Sequence, residues 1–340
     1  MTNLGTAATA EETRGWPHGP TSFERRRGNA LTRVVAGAIG IPIVLGAVWL
    51  GGWAFFIFVS LAIIGAMLEF YWIVEAKGAR PHKLLGVVFG LLLAFVFFHG
   101  VSDAFLSNTL GVGASSDPVY VPRLVAIVSI IIVLVVSCLI VEMRRDDAAP
   151  IINNSTTILG VVYVGLFLAT VIGIRQLFSD DPLMIAYVNS ALDLPAGRDV
   201  VARYGAYMVM AVLVTIWICD SAAYYVGRAM GRHKMAPSIS PKKTWEGGIG
   251  GAVFAIATMI TFQQLLLDFL SIGNAIVLGL IVGILGQVGD LAESHLKRDA
   301  GVKDSSQLIP GHGGVFDRFD SLMFVAPLVY LYLTIIAATA

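Results

Sequence analysis

Apolar residues in this chain come in long blocks separated by shorter polar stretches. The blocks lie near 31–50, 53–74, 84–100, 122–142, 155–178, 205–227, 248–268, 273–291 and 320–339. About 20 apolar residues carry a helix across roughly 30 Å of hydrocarbon. Backbone groups in lipid have no water to bond, so each block predicts a helix. The expected fold is an all-α polytopic integral membrane protein with about nine transmembrane helices. Only Gly51 and Gly52 separate the first two blocks, which predicts a tight helical hairpin.

The lysines and arginines orient this array. With a cytoplasmic N-terminus, all of the 23 except Arg123, Arg175, Arg198 and Arg203 fall in the tail or in loops on the cytoplasmic side, as the positive-inside tendency requires. Residues 1–29 read as a disordered cytoplasmic tail that ends in the basic anchor Arg25-Arg26-Arg27 at the membrane surface. Residues 30–204 follow as N-terminal transmembrane helices. Residues 205–340 form a region with two long cytoplasmic loops, 228–247 and 292–319, dense in charge, glycine and proline. Function is expected there. The external loops 101–121 and 180–204 read as connectors.

Composition agrees. Of 340 residues 56% are hydrophobic and only 14% charged, with mean hydropathy +0.79. Soluble domains carry about 25% charged residues, so a soluble enzyme and a disordered chain are both excluded. Net charge is zero, which gives no reason to expect nucleic acid as a partner. Cys138 and Cys219 lie in apolar blocks at no metal-ligand spacing and read as small buried hydrophobes.

The chemistry sits at the end of the eighth block. Asp290, Glu293, Ser294 and Lys297 share one helical face. A carboxylate at the end of a membrane span is costly unless it is paired, wet or bound to metal. Pairing with Lys297 is the plain structural alternative. Beyond it run Arg298, Lys303, Asp304, the stretch Gly311-His312-Gly313-Gly314, then Asp317, Arg318 and Asp320 at the mouth of the ninth block. Glycines flanking His312 permit tight turns whose amides can approach phosphate. The acids suit Mg²⁺, which shares its shell with substrate phosphates, and the cations suit a polyphosphate.

The second loop begins from Asp220, an acid about two turns inside the sixth block, with Tyr224 and Gly227 on the same stripe. Intramembrane acids are functional candidates. Further on, Ser240-Pro241-Lys242-Lys243-Thr244 offers two ammonium groups and two hydroxyls on a proline-fixed turn, followed by Glu246. It can grip phosphates or serve as a basic anchor with a helix cap. It is not a Walker A loop, since no glycine precedes the lysines at that spacing. Gly247 with Gly251, and Gly279 with Gly283, have the four-residue spacing of close helix contact. Apart from Glu142 at the very end of the fourth block, Glu69 is the one acid in the first five blocks and reads either as part of an ion pathway or as a packed acid near the second loop.

Ser294-x-Leu296-Lys297-Arg298, Lys303-Asp304 and Ile309-Pro310-x-His312-Gly313-Gly314-Val315-x-Asp317-Arg318-Phe319-Asp320 resemble the signature of phosphatidate cytidylyltransferases without departure. The Asp220 and Ser240–Gly247 segments resemble that family's upstream motifs. The resemblance is specific over about 205–321. It implies a membrane enzyme that makes CDP-diacylglycerol and pyrophosphate from CTP and phosphatidate; a bacterial inner membrane fits the short uninterrupted chain, and the lysine and arginine bias turns the expected active site toward the cytoplasm. The resemblance also implies Mg²⁺, a homodimer, and a metal pair held by Asp290 and Asp317, with a monovalent cation such as K⁺ at the second position. Lys297, Arg298 and Arg318 are then expected at the reacting phosphates. The substrate-binding set is expected to be Asp220, Ser240, Lys242, Lys243, Thr244, Glu246, Glu293, Ser294, Lys303, Asp304, His312, Gly313 and Gly314. The competing readings are a CTP-dependent lipid kinase, which transfers the γ-phosphate, and a transporter. Concentration of the charged residues on one side argues against the transporter.

Overall fold

The computed structural model describes residues 29–99, 120–146, 149–193, 198–306, 308 and 313–339. The proposed N-terminal tail, most of the 101–121 loop, and His312 lie outside them. Among the described residues ten helices and one small hairpin follow in order: α1 Asn29–Leu50, α2 Gly52–Glu75, α3 Lys83–His99, α4 Tyr120–Glu142, α5 Pro150–Asp180, α6 Pro182–Leu192, α7 Arg198–Met230, β1 Lys234–Ala236, β2 Ser240–Thr244, α8 Trp245–Leu265, α9 Ile272–Asp299 and α10 Phe316–Thr339. Among the described residues seven helices are long and apolar enough to cross a membrane: α2, α4, α5, α7, α8, α9 and α10. The apolar stretches described for α1 and α3 are shorter. The protein is an all-α polytopic membrane protein whose only sheet, in the described residues, is the two-stranded hairpin.

α5 is the central helix. Some 72% of its most apolar stretch is buried inside the chain, against 11% for α4, which presents its apolar surface outward. α5 packs on α2, α3, α7 and α10, whereas α8 is sandwiched between α7 and α9. The glycine spacings act as expected. Gly279 and Gly283 of α9 abut the backbone of Ile256 and Ala252 on α8, and Gly247 and Gly251 of α8 abut Gly227 and Cys219 on α7. α5 also contains a π-helical segment, Gly160–Leu166. Gly51 (φ 62°) makes the α1–α2 turn tight enough that only one residue separates the helices. Cys138 and Cys219 are buried free thiols.

The polar ends fall into two groups. On one side, Arg80 and His82 of the α2–α3 connection donate backbone N–H bonds to Asn153 and Thr157 of α5, at 2.7 and 2.8 Å. Lys77 pairs with Asp299 at the end of α9, and the hairpin and the α9–α10 connection lie on this side too. On the other, the Arg175 guanidinium donates to the carbonyls of Ala202 and Val48, and Tyr204 of α7 donates to Asp268 between α8 and α9.

Three segments differ from the sequence expectation. Residues 182–192 form a helix rather than a bare connector, because Asp181 caps the amides of Leu183 and Met184 and Pro182 opens the first turn. α7 starts at Arg198, seven residues before the apolar block, since a helix continues past the residues that hydropathy detects. The 228–247 loop contains strands, with Lys234 opposite Thr244 and Ala236 opposite Ser240. Residue 205, where the two larger regions were divided, falls within α7.

Candidate active site

The site grows from the last turns of α9 and the first of α10. Asp290 and Glu293 on α9 and Asp320 on α10 offer carboxylate oxygens that all lie within 4.8 Å of one another. The two helices can approach because Gly289 sits against the carbonyl of Asp320, where a side chain would not fit. Three carboxylates this close repel by several kcal/mol each in a medium of intermediate dielectric, on the order of 4 kcal/mol per pair at 4 Å. The protein supplies partial compensation. Lys243 reaches Asp290 Oδ2 at 2.7 Å, and Lys297 reaches Glu293 Oε2 at 2.7 Å. Ser294 donates to Asp290 Oδ1 at 3.3 Å. The other oxygen of Glu293, Oε1, is buried and receives no N–H or O–H donor among the described residues, and the Glu293 carboxyl group lies within hydrogen-bond reach of the Asp317 carboxyl group.

Asp317 stands one step away. Its carboxylate accepts from Lys297 Nζ at 2.9 Å, from the Gly314 amide at 2.9 Å and from the Ser305 amide. Lys297 therefore links Glu293 on α9 to Asp317 on α10. Gly313 turns the chain with φ +82°, a conformation that L side chains rarely adopt, and so brings Gly314 back over Asp317.

The N-terminus of α10 is capped from a distance. Glu69, buried in α2, accepts from the amides of Val315 and Phe316 at 3.0 and 2.8 Å. It also accepts from the hydroxyls of Ser305 and Ser306 at 2.8 and 2.6 Å. A helix start leaves its first amides without partners, and a carboxylate there is favoured both as acceptor and by the helix dipole.

The hairpin brings the second motif in. Glu246 in the first turn of α8 accepts from the His233 amide and lies 2.6 Å from the His233 ring, while the Trp245 amide donates to the His233 carbonyl. These bonds fasten β1 to the start of α8. Thr244 caps α8 by accepting from Gly247. Along β2, Pro241 and Lys242 are exposed, whereas Lys243 is half-buried and reaches in toward Asp290. Asp220 on α7 lies in electrostatic range of Asp290, Lys243 and Arg318.

The structure thus gathers Asp220, Lys243, Asp290, Glu293, Ser294, Lys297, Asp317 and Arg318 of the expected set, with Gly313 and Gly314 shaping the turn above them. Thr244 and Glu246 are engaged in holding the hairpin and helix. Ser240 stands at the start of β2, two residues before the outward Lys242. Arg298 is exposed and donates to the Val302 carbonyl, and Lys303 and Asp304 are exposed. His312 is outside the described residues. Two contributors were not assigned from sequence. Asp320 is one of the acids suited to Mg²⁺ by sequence but lies outside the metal pair that the resemblance implies, and the sequence leaves Glu69 between two readings. The available signal for Glu69 was its isolation within an apolar run.

The cytidylyltransferase family pattern matches residues 31–336. The chain belongs to the cytidylyltransferase family. A phosphatidate cytidylyltransferase of Synechocystis is 33% identical over 319 residues, covering 89% of this chain and 96% of its own length. The Bacillus subtilis phosphatidate cytidylyltransferase is 43% identical over 136 residues, and that of Haemophilus influenzae 44% identical over 128. These two stretches cover 39% and 36% of this chain, and 49% and 44% of those relatives.

Proposed function

We propose that this chain transfers the cytidylyl group of CTP to phosphatidate, yielding CDP-diacylglycerol and pyrophosphate for phospholipid synthesis. The observation that carries the reading is the cluster of Asp290, Glu293 and Asp320 faced by Lys243 and Lys297 at the end of membrane helices. A charged cluster at the polar end of the spans suits a reaction between a lipid phosphate and a water-soluble nucleotide. The side concerned carries most of the lysines and arginines, which supports a cytoplasmic active site in a bacterial inner membrane. The homodimer rests on the family resemblance.

In the reaction a phosphate oxygen of phosphatidate bonds to the α-phosphorus of CTP. The bond from that phosphorus to the β-bridging oxygen breaks, and its electrons leave with pyrophosphate. The phosphate monoester is already mostly ionised at pH 7, so no strong base is needed. Positioning and charge stabilisation suffice. Lys243, inward on its strand, and Arg318, at the first turn of α10, are placed to hold the triphosphate. Lys297 bridges Glu293 and Asp317 and is suited to the lipid phosphate. Arg298 and Lys242 reach outward and serve the entering anions.

A divalent cation fits the donor set, which is all carboxylate oxygen and includes Glu293 Oε1, to which no described N–H or O–H donates. We assign it as Mg²⁺, held by Asp290 with Glu293 and Asp320. Asp290 is also half of the pair with Asp317 that the resemblance implies. Asp317 is held by Lys297, Ser305 and Gly314, so its share in cation binding, and any second position for K⁺, depends on Lys297 leaving it. Bound Mg²⁺ supplies neutralisation of phosphate charge.

The test is turnover of purified protein with phosphatidate, Mg²⁺ and CTP labelled on the α-phosphate. Mg²⁺-dependent entry of label into a chloroform-soluble lipid is the expected result. Label recovered in water as CDP, with the γ-phosphate on lipid, would mean a kinase and overturn the assignment.

A further inference from the structure

Tyr163 stands on the π-helical segment of α5, a wider turn of the kind often found at functional sites. Its ring is buried edge-on among Phe70, Phe167, Phe316 and Phe324, with centroids 5.7–6.3 Å away. Phe316, Asp320 and Phe324 recur at four-residue spacing on α10, so they share a face. A ring wedged against both phenylalanines lies alongside the aspartate between them. Tyr163 is in electrostatic range of both Asp320 and Glu293.

The residue is only 7% exposed, and its hydroxyl has no hydrogen-bond partner among the described residues. Buried hydroxyls are seldom left so. Glu293 Oε1 is a second buried polar atom that receives no N–H or O–H donor, its carboxyl group facing the acid Asp317. One is a donor and the other an acceptor. A phenylalanine would fill the aromatic pocket equally well, so packing explains the ring and not the hydroxyl.

We propose that Tyr163 is a positioning residue for the acid triplet. Its hydroxyl reaches Glu293 or Asp320 through one bridging water and holds that carboxylate in the orientation that binds a divalent cation. This rests on the reading of the triplet as the cation site.

The test uses Tyr163→Phe and, as a packing control, Phe167→Leu, each purified in detergent. Mn²⁺ affinity is read by electron paramagnetic resonance of free Mn²⁺ in the absence of CTP and lipid, and unfolding is followed in EDTA. Tyr163→Phe is expected to melt with wild type in EDTA but to bind Mn²⁺ about tenfold more weakly, the weight of one hydrogen bond to a charged acceptor. Its half-saturating Mg²⁺ in turnover rises by a similar factor. Phe167→Leu is expected to lower the melting temperature while leaving Mn²⁺ affinity unchanged. Equal Mn²⁺ affinity in Tyr163→Phe and wild type overturns the proposal, and so does an equal loss in Phe167→Leu. Wild-type protein that binds no Mn²⁺ overturns the cation-site reading itself.

Discussion

Replacing Glu69 by Gln isolates the remote cap of α10. The change keeps shape and removes one acceptor. In the native chain Oε1 takes Ser306 Oγ and the Val315 amide, and Oε2 takes Ser305 Oγ and the Phe316 amide. Whichever way the new amide sits, its NH₂ faces one of the two backbone N–H groups. The serine hydroxyls can rotate to accept instead, but a backbone N–H cannot. One buried donor is stranded, at about 1–3 kcal/mol. Loss of the charge at a helix start adds about 0.3–1 kcal/mol, and the surviving bonds lose their charge assistance. The sum is roughly 2–5 kcal/mol. At ~2 °C per kcal/mol for a chain of this size, melting in detergent should fall by ~4–10 °C. Hydrogen exchange at the Val315 and Phe316 amides should accelerate, and turnover should fall because Gly314 and Ser305 no longer hold Asp317. A Glu69→Gln protein with native melting and native exchange at both amides would refute the reasoning.

The other expectations concern the site directly. Asp290→Asn should abolish label transfer from CTP while the protein remains folded, as judged by gel filtration; activity near wild type would sink the cation assignment. Lys243→Met should lower kcat/KM for CTP by about a hundredfold, on the order of 3 kcal/mol for a lost charge-assisted contact, with melting little altered. Mg²⁺ should raise the melting temperature over that in EDTA, and Asp290→Asn should erase the difference; an equal rise in the variant would put the ion elsewhere. Gly283→Leu should force α8 from α9, since its side chain would meet the Ala252 backbone, and lose both stability and turnover; native melting would mean that the contact is not tight.

What the sequence disclosed depended on the range of the interaction. Membrane helices were legible because a span needs a continuous apolar run, visible without any tertiary contact. The shared face of Asp290, Glu293, Ser294 and Lys297 was legible because helical spacing alone sets it, and the alternative of a Lys297 ion pair is realised with Glu293. Asp320 joins that face only through the close approach of α9 and α10 at Gly289, which no local pattern encodes. Glu69 meets a segment more than 230 residues away. The hairpin ran against propensity, since Lys and Pro disfavour strands, and its anchors are bonds between His233, Trp245 and Glu246. α6 was the opposite case. Its cap Asp181 and opening Pro182 were readable, but a short amphiphilic stretch between two membrane blocks does not register as a span.

The charge balance at the site gives a reason why the proposed cation would act together with the lysines. In ionised form Asp220, Asp290, Glu293, Asp317 and Asp320 face Lys243, Lys297 and Arg318, five acids against three bases. Lys243 and Lys297 already spend their contacts on Asp290, Glu293 and Asp317. A nucleoside triphosphate and a phosphomonoester meeting there would confront an excess of negative charge, and their own repulsion is the main part of the barrier. A divalent ion held by Asp290, Glu293 and Asp320 would supply neutralising charge there, and Lys243 and Lys297, ordered by their contacts with Asp290 and Glu293, would then be free to bind phosphate. On this argument substituting the lysines without removing the cation should impair CTP binding more than cation binding, and substituting Asp290 should impair both.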